Sequence, residues 1–318
     1  MSTRSHRRPP FLLLAPFFAV LALFWLVPLA RGVLISLQTD TLFGDAAFAG
    51  LANYRALAAD ARFAHALRNT VLYCAMVLAA VLPVSLALAH LLRRVWPGFR
   101  GPLQFCLLLP GLTPPLVLAL LYLMVFHGPQ GLLNKIFLQP FGLPNLDWIG
   151  DPRLIKFSLV LLMLWRWTGF MTLIFLSGLE GVPRAYHDAA RIEGASAWQR
   201  LRLVTLPVMR PVTAFAAAFL LIDTFVLFEG AYVLLGGSGG TQDAGLLLVS
   251  YGYFTAFTLG NFGSAAAMSF TALPLLLVAL FALLASGRPR SGRDTRKDRD
   301  GTGAAPVSTG TTGGEVRP

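Results

Sequence analysis

Long apolar runs alternate along this chain with short polar or charged segments, and within each run the hydrophobicity is continuous. A hydrocarbon core about 30 Å thick takes roughly 20 helical residues to cross. Runs of that kind lie at 11–37, 69–92, 102–126, 154–179, 207–235 and 264–285. A membrane strand would show about ten residues of alternating polarity, so the pattern predicts helices. The expectation is an all-α polytopic membrane protein with six transmembrane helices. The segments 38–68 and 127–153 carry enough aromatic residues, glycine and proline to form short surface helices and turns.

Composition strengthens this reading. Of 318 residues, 56% are hydrophobic and 13% charged, and a mean hydropathy of +0.65 excludes an ordinary soluble domain. The formal net charge of +11 does not point to nucleic acid, because the basic residues sit between apolar runs and form no basic face with interleaved aromatics. Topology explains the charge. With the N-terminus inside, eighteen Lys and Arg fall on the inner side, including Arg93, Arg94, Arg184, Arg191 and Arg200, against six on the outer side. The positive-inside rule then puts both termini in the cytoplasm of an inner-membrane protein. Arg4, Arg7 and Arg8 precede a run too long for a cleaved signal, so the first span reads as a retained anchor. The organisation expected is an N-terminal tail over 1–10, a membrane domain over 11–285 and a disordered tail over 286–318, where Gly, Thr, Ser and Pro follow a charged stretch.

Several chemistries find no support. Cys74 and Cys106 fall near opposite membrane faces, too far apart for a disulfide. The five histidines show no metal-ligand spacing, so no metal site is expected. Gly236-Gly237-Ser238-Gly239-Gly240 matches a hydrolase elbow literally, but it follows a membrane span and the last histidine is His187, upstream of it. A surface turn is the better reading. No phosphate-binding Gly-x-x-x-x-Gly-Lys-Ser/Thr loop occurs, so a chain of this kind is no enzyme, holds no cofactor, and leaves any ATP hydrolysis to a partner.

The inner segment between the fourth and fifth runs is the most informative. Val182, Ala185, Ala189 and Ile192 recur at helical spacing and give a stripe of small apolar side chains. Gly194 can supply a positive backbone angle that reverses the chain. Ala197, Leu201 and Val204 continue the stripe on a second short helix, and Pro207 suits the first turn of the next span. These residues fit either an amphipathic segment on the lipid surface or a rigid helix-turn-helix that receives a soluble partner.

Read as Asp188-Ala189-Ala190, two residues, Glu193-Gly194-Ala195, eight residues, then Val204-Thr205-Leu206-Pro207, the segment resembles the EAA loop of binding-protein-dependent ABC importer permeases. Asp188, Glu193 and Val204 are conservative departures from that pattern. The likeness extends over 11–285 and points to the carbohydrate group. It runs through Phe48-Ala49-Gly50-Leu51-Ala52-Asn53-Tyr54, Asn69-Thr70, Gly131-Leu132-Leu133-Asn134 and Phe228-Glu229-Gly230-Ala231-Tyr232. The resemblance implies a type I importer permease fold. It implies that 182–207 docks into an ATP-hydrolysing subunit through Asp188, Ala189, Ala190, Glu193, Gly194, Ala195, Leu206 and Pro207. The partners it implies are a second, homologous permease, two copies of the ATPase carrying ATP and Mg, and an extracytoplasmic solute-binding protein, all within membrane lipid. The expected cargo is a sugar or related polyol.

Charges inside a span cost at least a few kcal/mol and tend to face protein or a water-filled path. Arg166 and Asp223 fall near mid-membrane, with Glu229 beyond. Two readings stand. The charges line a sugar path in which Trp165, Trp167, Phe225, Phe228 and Tyr232 stack on the rings, or Arg166 and Asp223 form an ion pair that ties two helices. Pro110, Pro114 and Pro115 predict a kink in the third span. An ion-gradient-driven carrier or a channel is the rival class. It would account for the charges but not for the inner segment.

Overall fold

The apolar runs become helices with sharper breaks than hydropathy registers. The protein is described by a computed structural model covering residues 10–39 and 47–287. Helix α1 (Pro10–Leu21) continues through a π turn into α2 (Val27–Ser36), and a short α3 (Ala52–Ala59) leads to the long α4 (Ala61–Leu92). Next come α5 (Pro97–Leu112), α6 (Pro115–Phe126), α7 (Ile155–Glu180), α8 (Arg184–Ile192), α9 (Ala197–Arg200) and α10 (Leu206–Val208). The last four are α11 (Arg210–Phe225), α12 (Glu229–Leu234), α13 (Leu248–Tyr253) and α14 (Phe262–Ser286). Of the expected tails at 1–10 and 286–318, residues 1–9 and 288–318 lie outside the described residues, while Pro10 opens α1 and Ser286 closes α14.

Among the described residues, four helices are each long and apolar enough to cross a membrane, namely Leu14–Ser36, Ala61–Leu92, Ile155–Glu180 and Phe262–Ser286. The third and fifth expected spans are bent pairs. Helices α5 and α6 meet at 95°, and the segment Ala197–Val208 meets α11 at 72°. A residue before proline is driven out of the helical region. Thr113 (ψ 133°) and Pro114 (ψ 135°) are both extended, so the consecutive prolines break the third span where only a kink was expected. The fifth run stops at Phe225 and resumes at Glu229, well short of the continuous 207–235 expected. Leu227 in that break is buried, and an apolar break residue is invisible to hydropathy. Helix α4 starts at Ala61 and not at 69, because the Asp60 carboxylate caps it by accepting from the Arg62 N–H at 2.8 Å.

Helices α4 and α7 form the most extensive pair in the fold. Tyr73, Val77, Leu159, Met163 and Phe175 are buried in the first core cluster, with Leu118 and Phe126 of α6 beside them. In lipid there is no hydrophobic drive between helices, so close packing carries the association, and an interhelical hydrogen bond adds only about 0.6 kcal/mol. Ser85 Oγ donating to Thr168 O (3.1 Å) is one such bond. Close packing is enforced at Gly169, where any Cβ would collide with the Leu107 carbonyl of α5.

The connections that precede α4 and α7 and follow α12 are pinned by buried amides. Asn134 donates to Gly128 O and Leu146 O, and its Oδ1 accepts from Leu146 N–H (3.2 Å) and Trp148 Nε1 (3.0 Å). Asn53 donates to Ser36 O (2.9 Å) and Gln38 O (2.7 Å), fixing the end of the first span. Asn69 donates to Asp243 O (3.0 Å) and Leu246 O (3.2 Å), while Thr70 Oγ1 accepts from Leu248 N–H (2.9 Å). Arg62 grips Asp243 through two bonds of 2.7 and 2.9 Å and lies over the rings of Tyr251 and Phe254. Burial pushes the Tyr251 hydroxyl up to about 12, so it stays protonated and donates to Asp60 at 2.7 Å.

Candidate functional site

The inner segment folds as a helix, a turn and a helix, each end closed by its own residues. Val182 is buried against the bundle and Pro183 precedes the first turn of α8. At the far end Gly194 takes φ +80°, which lets Gly194 N–H reach Arg191 O (3.0 Å) and Ala195 N–H reach Ala190 O (2.9 Å). This pairing satisfies carbonyls that the end of a helix leaves open. Helix α9 opens with a reciprocal cap: Ser196 Oγ accepts from Gln199 N–H, and Gln199 Oε1 accepts from Ser196 N–H at 2.7 Å. Arg200 donates back to Ala195 O (2.9 Å) across the turn.

A π turn over Leu201–Thr205 and α10 then carry the chain to the buried Met209 and the 72° bend into α11. Pro207 therefore sits in α10, and it is Pro211 that occupies the first turn of α11. The expected contact residues Asp188, Ala189, Glu193 and Gly194 are exposed, Ala190 and Ala195 are half-buried, and Leu206 and Pro207 are half-buried at the junction. Beyond Val182, the α8 part of the apolar stripe is exposed, with Ile192 88% exposed, while Leu201 and Val204 of its continuation are half-buried. Trp198 (67%) and Leu203 (69%) extend that uncovered surface.

The residues expected to line the path fall into two groups. In the first, Trp167 Nε1 donates to Asp223 Oδ2 at 2.7 Å. Arg166 approaches the same oxygen only at 3.9 Å and lies 4.9 Å from the centre of the Trp167 indole. Arg166 Nε is buried and makes no hydrogen bond among the described residues. The tight partner of Asp223 is thus the indole, and the guanidinium keeps donor capacity to spare. Trp165, on another side of α7, is exposed and packs on Tyr122 with ring centres 5.6 Å apart.

In the second group Phe228 and Tyr232 pack at 5.0 Å beside the exposed Glu229. Phe225 is buried in the second core cluster with Leu221, Leu246 and Met268, while it also lines a cavity with Tyr253 and Phe257. Two aromatics escaped the sequence reading. Tyr253 lies 4.7 Å from Phe228 and 5.3 Å from Tyr232, and Phe257 lies 4.7 Å from Tyr253. Their four-residue spacing was the available signal, hidden in a stretch too short and mixed to register as a span.

Comparison with known proteins bears on this arrangement. The sequence model of the family described as "Binding-protein-dependent transport system inner membrane component" matches residues 82–288, which include the helix-turn-helix and both of these groups. The chain belongs to this family. It is a permease, the inner-membrane component of a transport system, with the all-α fold of ABC importer permeases.

The arabinooligosaccharides transport permease AraP of Bacillus subtilis is 33% identical over 284 residues, 89% of this permease and 90% of the relative. The trehalose/maltose transport permease MalF of Thermococcus litoralis is 30% identical over 281 residues, 88% and 94% of the two chains. Among solved structures, a bacterial ABC transporter involved in import of the acidic polysaccharide alginate superposes with a TM-score of 0.74 at 20% identity, covering 88% of this permease and 95% of that chain. A second structure of a bacterial alginate ABC transporter, in complex with an alginate pentasaccharide-bound periplasmic protein, gives a TM-score of 0.73 at 19% identity.

Proposed function

We propose that this permease moves a sugar or related polyol inward between itself and a second, homologous permease, driven by two copies of an ATPase docked beneath them. The observation that carries the reading is the α8–Gly194–α9 unit. It is closed by its own caps, joined to α7 and α11, and presents uncovered apolar side chains to the inner side. A rigid element with that surface can transmit displacement of a soluble partner to two membrane helices at once. ATP binding would shift the population between inward-open and outward-open arrangements through contacts that differ between them. In this account the chain crosses the membrane six times with both ends inside, each bent pair serving as one crossing.

The saccharide cargo is supported by the saccharide transport roles named for the relatives and by the half-buried ring pair Phe228 and Tyr232 beside the exposed Glu229. The loosely held Arg166 and the indole-bound Asp223 supply hydroxyl-binding groups deeper in the path. Delivery by an extracytoplasmic binding protein to the outer loops completes the cycle. Uptake is measured in membranes whose ATPase subunit can no longer hydrolyse ATP. Complete loss is expected, and persistent uptake would favour a gradient-driven carrier and end this reading. Exchanging the two charges (Arg166→Asp with Asp223→Arg) should leave uptake depressed at least about tenfold, roughly the loss of one charged hydrogen bond. Full recovery would make the pair a purely structural tie.

A further inference from the structure

We infer that the permease holds the phosphate of an anionic glycerophospholipid from the inner leaflet in a basic cavity between the inner end of α4 and α8. The cavity measures about 670 Å³ and is lined by Arg93 and Arg94, by Arg184, His187, Asp188 and Arg191 of α8, and by Trp198 and Arg200 of α9. Its one carboxylate, Asp188, is already approached by Arg191 at 3.9 Å, and Arg200 is committed to Ala195 O. The guanidinium groups of Arg93, Arg94 and Arg184 make no ion pair or hydrogen bond among the described residues, the first two bonding only through backbone N–H groups to Ala89 O and Leu91 O. Three unpaired guanidinium groups around one cavity repel one another until an anion enters.

Position favours a lipid as the source of that anion. Arg93 and Arg94 directly follow Leu92, the last residue of a membrane-crossing helix, so their charges sit at headgroup depth. Leu91, three residues before Arg94, is an exposed apolar side chain near the end of that helix, and the exposed indole of Trp198 forms part of the cavity wall. Trp at the membrane boundary with Arg just inside it is the arrangement that holds anionic headgroups.

An acidic surface of the ATPase is the competing occupant, and the helix register argues against it. Arg184, His187, Asp188 and Arg191 are spaced i, i+3, i+4 and i+7 and share one face of α8. Ala185, Ala189 and Ile192, the α8 part of the stripe offered to a soluble partner, lie on a different face, while Asp188, Ala197 and Leu201 line the cavity itself. The headgroup would therefore pin α8 to the membrane while leaving its apolar face free.

The test uses the full-length chain, purified with the subunits that accompany it in the membrane, in nanodiscs of phosphatidylcholine mixed with phosphatidylglycerol. Native mass spectrometry then counts the lipids retained after extraction. Wild type should retain phosphatidylglycerol in preference to phosphatidylcholine. The variant R93Q/R94Q/R184Q should weaken that retention on the order of a hundredfold, and the Lys-substituted triple variant should keep most of it. Equal retention by wild type and the Gln variant overturns the proposal. So does displacement of the lipid by millimolar inorganic phosphate, which would identify a free-anion site. Loss of the ATPase subunit from the Gln variant with lipid retention unchanged would assign the cavity to a protein partner and overturn it as well.

Should the triple variant fail to assemble, each single Arg→Gln change is expected to lower retention about fivefold, and no loss in any of the three is equally fatal. Retention needs no transport, so a failure of ATP coupling with the lipid still bound counts against the docking role of α8 and not against this site.

Discussion

The connections at the two ends of the long helices are built in opposite ways. At one end, the chain between helices is tied to distant elements by buried amides: Asn53 to the end of α2, Asn69 to the loop at 243–246, and Asn134 to both ends of its own loop. At the other, α8 and α9 bond mainly to themselves, through Gly194, Ser196, Gln199 and Arg200, and leave Ile192, Trp198 and Leu203 uncovered. Polar groups buried at the first end must be satisfied within the chain, whereas apolar groups uncovered at the second call for another molecule. The contrast separates a region that completes the fold from one that completes an assembly.

Asn134→Ala should produce the largest effect, because it strands Gly128 O, Leu146 O, Leu146 N–H and Trp148 Nε1 in a buried site. A cost of about 3 kcal/mol or more is expected, read as a lower unfolding temperature in detergent and reduced membrane levels. Uptake should fall in proportion to the protein present. Gly194→Val should do the reverse. Its φ of +80° is strained for a β-branched residue, and no other group crowds the position. The local cost is about 1–3 kcal/mol, confined to the turn, so membrane levels should hold while uptake per permease drops at least about tenfold. If both variants lose stability and uptake in step, the distinction between the two regions fails.

Much of this was legible in the sequence, and unevenly. Helical membrane runs and the inner segment were readable because lipid demands continuous apolar helix and because Gly194 and the 182–192 stripe follow helical spacing. The fifth run was misread as a single helix because Leu227 in its break is as apolar as the helix it interrupts. Thr113–Pro115 read as a kink because proline count gives no bend angle; the extended ψ of two consecutive residues does. Asn53, Asn69 and Asn134 stood out only by resemblance, since a polar residue in an outer loop gives no hint of the carbonyls it will meet. Tyr253 and Phe257 joined the Phe228 group through tertiary contact, which periodicity cannot supply.

The account rests most heavily on α8 presenting its small apolar stripe to an ATPase, and disulfide mapping tests that directly. In a background with the exposed Cys106 replaced by serine, Ala189→Cys is paired with cysteines introduced on the surface of the ATPase subunit. A cross-linked product with the ATPase is predicted, in a yield that changes when ATP is added, while Phe141→Cys on the exposed outer side yields none. The absence of any ATPase adduct from Ala189→Cys, in membranes where uptake is active, would contradict it.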